Sequence, residues 1–174
     1  MRKLIILLAG IAILAVVNYS IYKKEQLLAN GRVVFLELAP VDPRSLMQGD
    51  YMALRFRLQN AVSPSSSLRD GHLVVAVDSH GVATFRRMDN GTALAADELK
   101  LFYRVRANQV KLGTNAFFFQ EGDEDYYRRS RYGEARIDNN GQLLLTGLRD
   151  ENLQKLGPTI RHAPALNHPL PKRK

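Results

Sequence analysis

The sequence predicts an all-β domain, an antiparallel sandwich or barrel, carried behind one N-terminal transmembrane helix. Three observations predict it. An apolar run fills Leu4 to Tyr22. Beyond residue 31, short apolar segments follow one another, several of them alternating, with turn signals between them. No helical periodicity alternates with those segments, so a parallel α/β sheet is not expected.

The N-terminal run is broken by only Gly10, Asn18 and Ser20 before Lys23. Its length corresponds to roughly 28 Å of helix, close to the hydrocarbon thickness of a bilayer. Tyr19 and Tyr22 stand at one end, where amphipathic rings favour the headgroup level. Arg2 and Lys3 give it the basic start of a secretory signal, but the run is long for one and no A-x-A pattern closes it. An uncleaved anchor spanning residues 4–22 is the expectation. Arg2, Lys3 and the α-amino group precede the span, while Glu25 partly offsets Lys23 and Lys24. The positive-inside bias then leaves the N-terminus in the cytoplasm. In a bacterium with two membranes, this places a single-pass protein in the inner (cytoplasmic) membrane, with an extracytoplasmic, periplasmic C-terminal domain.

The 174 residues carry a formal net charge of +8. Much of it belongs to the ends. Residues 1–25 hold four basic residues against Glu25, and 161–174 add Arg161, Lys172, Arg173 and Lys174 with no acid. Residues 26–160 hold 17 basic and 16 acidic residues, which calls for no nucleic-acid partner. Three units follow: residues 1–25 as anchor with short flanks, 26–160 as a β-rich domain, and 161–174 as a basic, Pro-rich tail. Cysteine is absent, which excludes a disulfide framework and a thiolate nucleophile.

Glu25 to Asn30 can extend the helix until Asn30-Gly31 ends it. Arg32 to Ala39 reads as a largely buried strand. Met52, Leu54, Phe56 and Leu58 alternate with Ala53, Arg55, Arg57 and Gln59, the clearest period-two segment of the chain. Ala61 to Arg69 is Ser-rich and reads as a loop. His72–Val77 and Val82–Met88 flank Asp78-Ser79-His80-Gly81, a hairpin signal. Asp97 to Leu99 reads as a short helical piece, Leu101 to Ala107 as a strand, and Ala116 to Phe119 as a short aromatic strand. Tyr132–Ile137 and Gln142–Thr146 flank a further hairpin turn, Asp138 to Gly141. Asp150 to Leu156 suggests a short helix before Gly157-Pro158.

The most distinctive stretch runs from Asp42-Pro43-Arg44 to Gly49-Asp50-Tyr51-Met52-Ala53-Leu54-Arg55-Phe56. It resembles a bacterial family named for a G-D-Y-x-x-L-x-Y motif. Gly49, Asp50, Tyr51 and Leu54 match the motif, and Phe56 stands where the family has Tyr. Phe117-Phe118-Phe119-Gln120-Glu121-Gly122, then Tyr126-Tyr127 and Arg131-Tyr132, is similar to a second stretch of that family. The resemblance implies a membrane-anchored domain, often encoded with or fused to multi-spanning membrane proteins, and carries no established activity.

Physically, Asp42-Pro43 starts a turn, Arg44 can pair with Asp42 or Asp50, and Tyr51 falls opposite in parity to the core-facing Met52, Leu54 and Phe56. The stretch reads as a β-turn with an ion pair, or as one edge of a binding surface made of Asp42, Arg44, Asp50, Tyr51 and Arg55. Glu121, Tyr126 and Tyr127 form a second candidate. The acidic run Glu121 to Asp125 lacks EF-hand spacing and is followed by Arg128, Arg129 and Arg131, so local neutralisation is favoured over calcium. Phe117 to Phe119 read as a buried strand or an exposed contact patch.

The Gly-Asp followed by an apolar strand also looks like the region after the nucleophile of membrane-anchored signal peptidases. Here Asp42-Pro43 stands near the place of the Ser, and Ser45 lies too close to the Gly. Lys100 flanks a strand. No catalytic residue is carried over, and a signal-peptidase-like envelope hydrolase is kept as the alternative. No P-loop, G-x-G-x-x-G or G-x-S-x-G occurs, and the four histidines form no spaced ligand cluster. No metal or cofactor is expected. The function expected is a membrane-anchored binding or assembly module, partnered by a multi-spanning membrane protein, with no enzyme activity.

Overall fold

The computed structural model describes residues 2–39, 51–62 and 69–158. One helix, α1 (Arg2–Asn30), precedes nine strands. These are β1 (Arg32–Glu37), β2 (Tyr51–Ala53), β3 (Gly71–Val77), β4 (Val82–Met88), β5 (Glu98–Arg106), β6 (Gln109–Leu112), β7 (Ala116–Phe118), β8 (Tyr132–Ile137) and β9 (Leu143–Arg149). A 3₁₀ turn (Arg57–Ala61) and one helical turn, α2 (Glu124–Tyr127), complete the described elements.

α1 is long and apolar enough to cross a membrane, and none of its apolar window is buried against the domain. A membrane anchor and an export signal share that length and composition. The helix continues past Lys24 to Asn30, as the sequence suggests.

Seven strands form one sheet in the order β6-β5-β3-β4-β1-β8-β9, and β2 pairs with β7 in a second, two-stranded sheet. The large sheet curls until it is nearly a closed barrel. Its two ends meet where the β8–β9 turn reaches β5: Phe102 donates its amide to the Gly141 carbonyl at 2.8 Å. Beside it, His72 Nε2 lies 3.0 Å from the Asn140 carbonyl oxygen. The pairing is antiparallel with one exception. β1 runs parallel to β4, Phe35 opposite Val82 and Leu36 opposite Ala83. Its other edge takes β8 antiparallel along all six residues.

The core follows from alternation. Val34 and Leu36 of β1 point inward with Leu73, Val75, Leu101, Leu112, Ala135 and Leu148. The predicted alternation at Met52, Leu54, Phe56 and Leu58 holds: all four are buried, with Phe56 wholly so. The backbone, however, leaves the strand after Ala53 and coils into the 3₁₀ turn. Gln59 fixes it there. Its Oε1 accepts the Phe56 amide and its Nε2 donates to the Val110 carbonyl, both at 2.8 Å.

Two expected helical pieces are not helices. Glu98 and Leu99, placed in a short helical piece, belong to β5, where they pair with Ala76 and Val75. At Asp150 the carboxylate accepts the amides of Asn152 and Gln154, each at 2.9 Å, which closes a tight turn. Leu153 then takes φ 60° and Lys155 bridges back to Arg149, so no helix forms before Gly157. At the β3–β4 hairpin, Asp78 accepts the amides of Val82 and His80. The Val82 amide foremost holds that carboxyl below its usual range.

Candidate functional site

The described part of the predicted binding surface lies at the far end of β1 from α1, roughly 20 Å along the strand. Two neighbouring amides of the chain leaving β1 point to opposite sides. Leu38 donates to the Arg131 carbonyl at 2.8 Å and Ala39 to the Arg55 carbonyl at 2.7 Å. These bonds bring the end of β2 and the segment after α2 to the same strand end. Arg131 in turn donates its amide to the Arg149 carbonyl at 2.8 Å, which adds the turn after β9.

Between these segments lies a cleft of about 470 Å³. Arg55, Arg128, Arg129 and Arg131 line it, with Met52 and Leu54 below and Asp150 and Glu151 at one side. Arg128 pairs with Asp125 at 2.8 Å. Among the described residues, Arg55, Arg129 and Arg131 have no carboxylate partner. Guanidinium groups present several donors each, so the cleft is suited to a carboxylate or another planar anion.

Next to the cleft, β2 and β7 present an aromatic pair. Tyr51 stands opposite Phe118, with ring centroids 5.8 Å apart. Tyr51 is 37% exposed and Phe118 74%. The strand parity explains this. Phe117 and Phe119 turn the other way and pack on Tyr127, at 5.1 and 5.2 Å between centroids. The aromatic triplet is therefore neither all core nor all patch; only Phe118 is solvent-facing.

The chain matches one family. The family model described as GDYXXLXY protein covers residues 13–148. The chain belongs to that family. No curated protein and no solved structure matches it. Of the GDYXXLXY motif, Tyr51, Leu54 and Phe56 are described. Tyr51 faces outward while Leu54 and Phe56 enter the core. Where the GDYXXLXY family has Tyr, Phe56 is fully buried and its ring lies over Gly133.

The candidate residues thus divide. Tyr51 and Arg55 are exposed and lie on the same side of the domain, at the aromatic pair and in the cleft. Asp42, Arg44 and Asp50 lie outside the described residues, as do Ser45 and the 161–174 tail. Glu121 and Tyr126 are exposed, but Tyr127 is a core residue. Burial foremost, then the Asp123 carboxylate, pushes its phenol above the ordinary value. Lys100 lies within β5, its Nζ 2.7 Å from Asp89.

Sequence reasoning did not join Arg128, Arg129 and Arg131 to Arg55. They are separated by more than seventy residues, and the acidic run beside them offered a complete local explanation. No signal in the sequence marked them, since four acids, Glu121, Asp123, Glu124 and Asp125, stand just before the three arginines.

Proposed function

We propose that the chain is a membrane-anchored binding or assembly module that docks on an integral, multi-spanning membrane protein. In this reading the protein sits in a bacterial cytoplasmic membrane with its β-domain on the periplasmic side. The observation that carries it is the exposed Tyr51–Phe118 pair beside an arginine-lined cleft. Aromatic side chains and arginine are the residue types enriched where protein partners bind, and large exposed rings at a strand pair are uncommon without a contact to make. Asp42, Arg44 and Asp50 are assigned to the same role from the sequence alone, Asp50 by the motif and the other two by its lead-in. The small positive bias ahead of α1 supports the orientation.

Site-specific photo-crosslinking from position 118 of the full-length protein, in its own membranes, tests the reading. One discrete adduct with an integral membrane protein is expected, and none from position 84 on the outer face of β4. No adduct at 118, or the same adducts from both positions, would overturn it.

A further inference from the structure

A second cleft lies at the other end of the domain, between α1 and the barrel, with a volume of about 930 Å³. Its geometry is fixed because the last turns of α1 are part of the domain. Leu27 is 4% exposed. Arg136 Nη1 donates to the carbonyls of Gly31 at 3.2 Å and Ala29 at 3.4 Å. The end of the helix is thus seated on the barrel, and this wall of the domain faces the end of the apolar segment.

The cleft begins at Ser20 and Tyr22, the level at which an α1 span would leave the hydrocarbon. Its lining is basic there. Lys23, Lys24, Arg32 and Lys100 contribute cations, and Asn30 and Asn139 add amides. Lys100 is already neutralised by Asp89 at 2.7 Å, and Lys23 lies over the Tyr19 ring, 4.9 Å from its centroid. Among the described residues, Lys24 and Arg32 make no ion pair. The acid of the lining, Asp138, accepts the amides of Asn140 and Gln142 and is held in its turn. The same cleft has an apolar side in Leu99 and in Leu94, a leucine 40% exposed on the β4–β5 connection. Cations and leucines in one cleft, at headgroup depth, match an amphiphile with a phosphate head. The volume falls in the range of small-ligand sites, about 300–1,000 Å³.

We infer that this cleft holds the headgroup of an anionic phospholipid. The phosphodiester lies against Lys24 and Arg32, and Leu94 and Leu99 cover the glycerol and the first part of the acyl chains. The inference rests on the reading that α1 crosses the bilayer.

Native mass spectrometry of the full-length protein, released from micelles holding equal amounts of phosphatidylglycerol and phosphatidylcholine, tests it. Phosphatidylglycerol should be retained over phosphatidylcholine by about tenfold or more, the order expected for two unpaired cations near a headgroup. Lys24→Gln with Arg32→Gln should bring the two lipids to near-equal retention. Both side chains are exposed, so the variant folds. Arg57→Gln, which removes an exposed cation paired with Glu37 at the far end of β1, should keep the preference. Equal retention by the unaltered protein overturns the inference, as does an unchanged preference in the double variant. Release of the bound lipid by millimolar inorganic phosphate overturns it too, because the cleft would then be a site for free anions. Carbonate extraction of membranes reports separately on the anchor. Equal lipid retention by a protein that stays in the carbonate pellet counts against the headgroup site alone.

Discussion

Tyr51 and Phe118 face each other across β2 and β7, and their rings meet in solvent rather than in the core. Replacing Phe118 by Ser removes an exposed ring. Surface changes of this kind stay within about 0.5 kcal/mol in stability. The expected outcome is an unchanged urea midpoint together with loss of co-purification of the membrane partner. A large drop in the midpoint would make the ring structural.

The neighbouring tyrosines of α2 should behave oppositely. Tyr127 is enclosed by Phe117 and Phe119, whereas Tyr126 is 49% exposed. Tyr127→Ala should lower unfolding free energy by about 3–5 kcal/mol, the usual effect of emptying a large aromatic site. Tyr126→Ala should leave it within about 0.5 kcal/mol. Paired denaturation curves check both.

Two phenols give the protein a response to base. Burial foremost, then Asp70, raises the pKa of Tyr103; burial, then Asp123, raises that of Tyr127. A raised folded value means that the unfolded chain gives up these protons first. Their contribution is therefore complete below about pH 10, the unfolded phenol value, and falls as pH rises from there through the folded values. Ultraviolet difference titration should show two phenols ionising later than the rest, with unfolding accompanying them. Simultaneous ionisation of every tyrosine in folded protein would contradict this.

Glu98 is a buried carboxylate, 2.9 Å from Arg87 and also accepting the Ala95 amide at 3.1 Å. Arg87 is itself only 28% exposed. Glu98→Ala leaves that cation half-buried without its carboxylate and frees the β4–β5 connection. A loss of about 2 kcal/mol is expected, below the full effect of a wholly buried pair because solvent reaches Arg87. Chemical denaturation measures it, and Arg86→Ala, the more exposed partner, should matter much less.

Gly141 closes the barrel with φ +75°, and a Cβ there would stand 2.9 Å from the Phe102 nitrogen. Gly141→Ala adds both the left-handed penalty, about 1–2 kcal/mol, and this clash. Hydrogen exchange at the Phe102 amide should accelerate before the β3 amides do. Equal protection in both proteins would show that the two sheet ends do not depend on this turn.

What was legible in the sequence was what strands and turns encode locally. Met52 to Leu58 displays its burial in its own alternation, and Asp138 to Gly141 names its hairpin by composition. β6 escaped because its turn carries no glycine: Ala107 and Asn108 take φ 48° and 57°, and Arg106-Ala107-Asn108-Gln109 has only an asparagine to suggest it. Glu98 and Leu99 became strand because β3 pairs with them through Ala76 and Val75, a contact that no local pattern shows. The parallel β1–β4 pair could not be read from either strand, since it joins segments more than forty residues apart in the chain. The arginine cleft depends on the Leu38 and Ala39 amides reaching Arg131 and Arg55, contacts between segments far apart in the chain.

Only Gly31 separates the end of α1 from β1, and Arg136 locks that junction. With its foot in a bilayer, such a domain has no tether to play out. It has a fixed height and can only spin about its stalk or drift sideways. Its search for a partner becomes two-dimensional, confined to a thin layer in which local concentration rises without any gain in contact strength. With α1 held in a bilayer, the junction would act as a height gauge: a partner whose surface stands at another level would be rejected by geometry, before any side chain is compared.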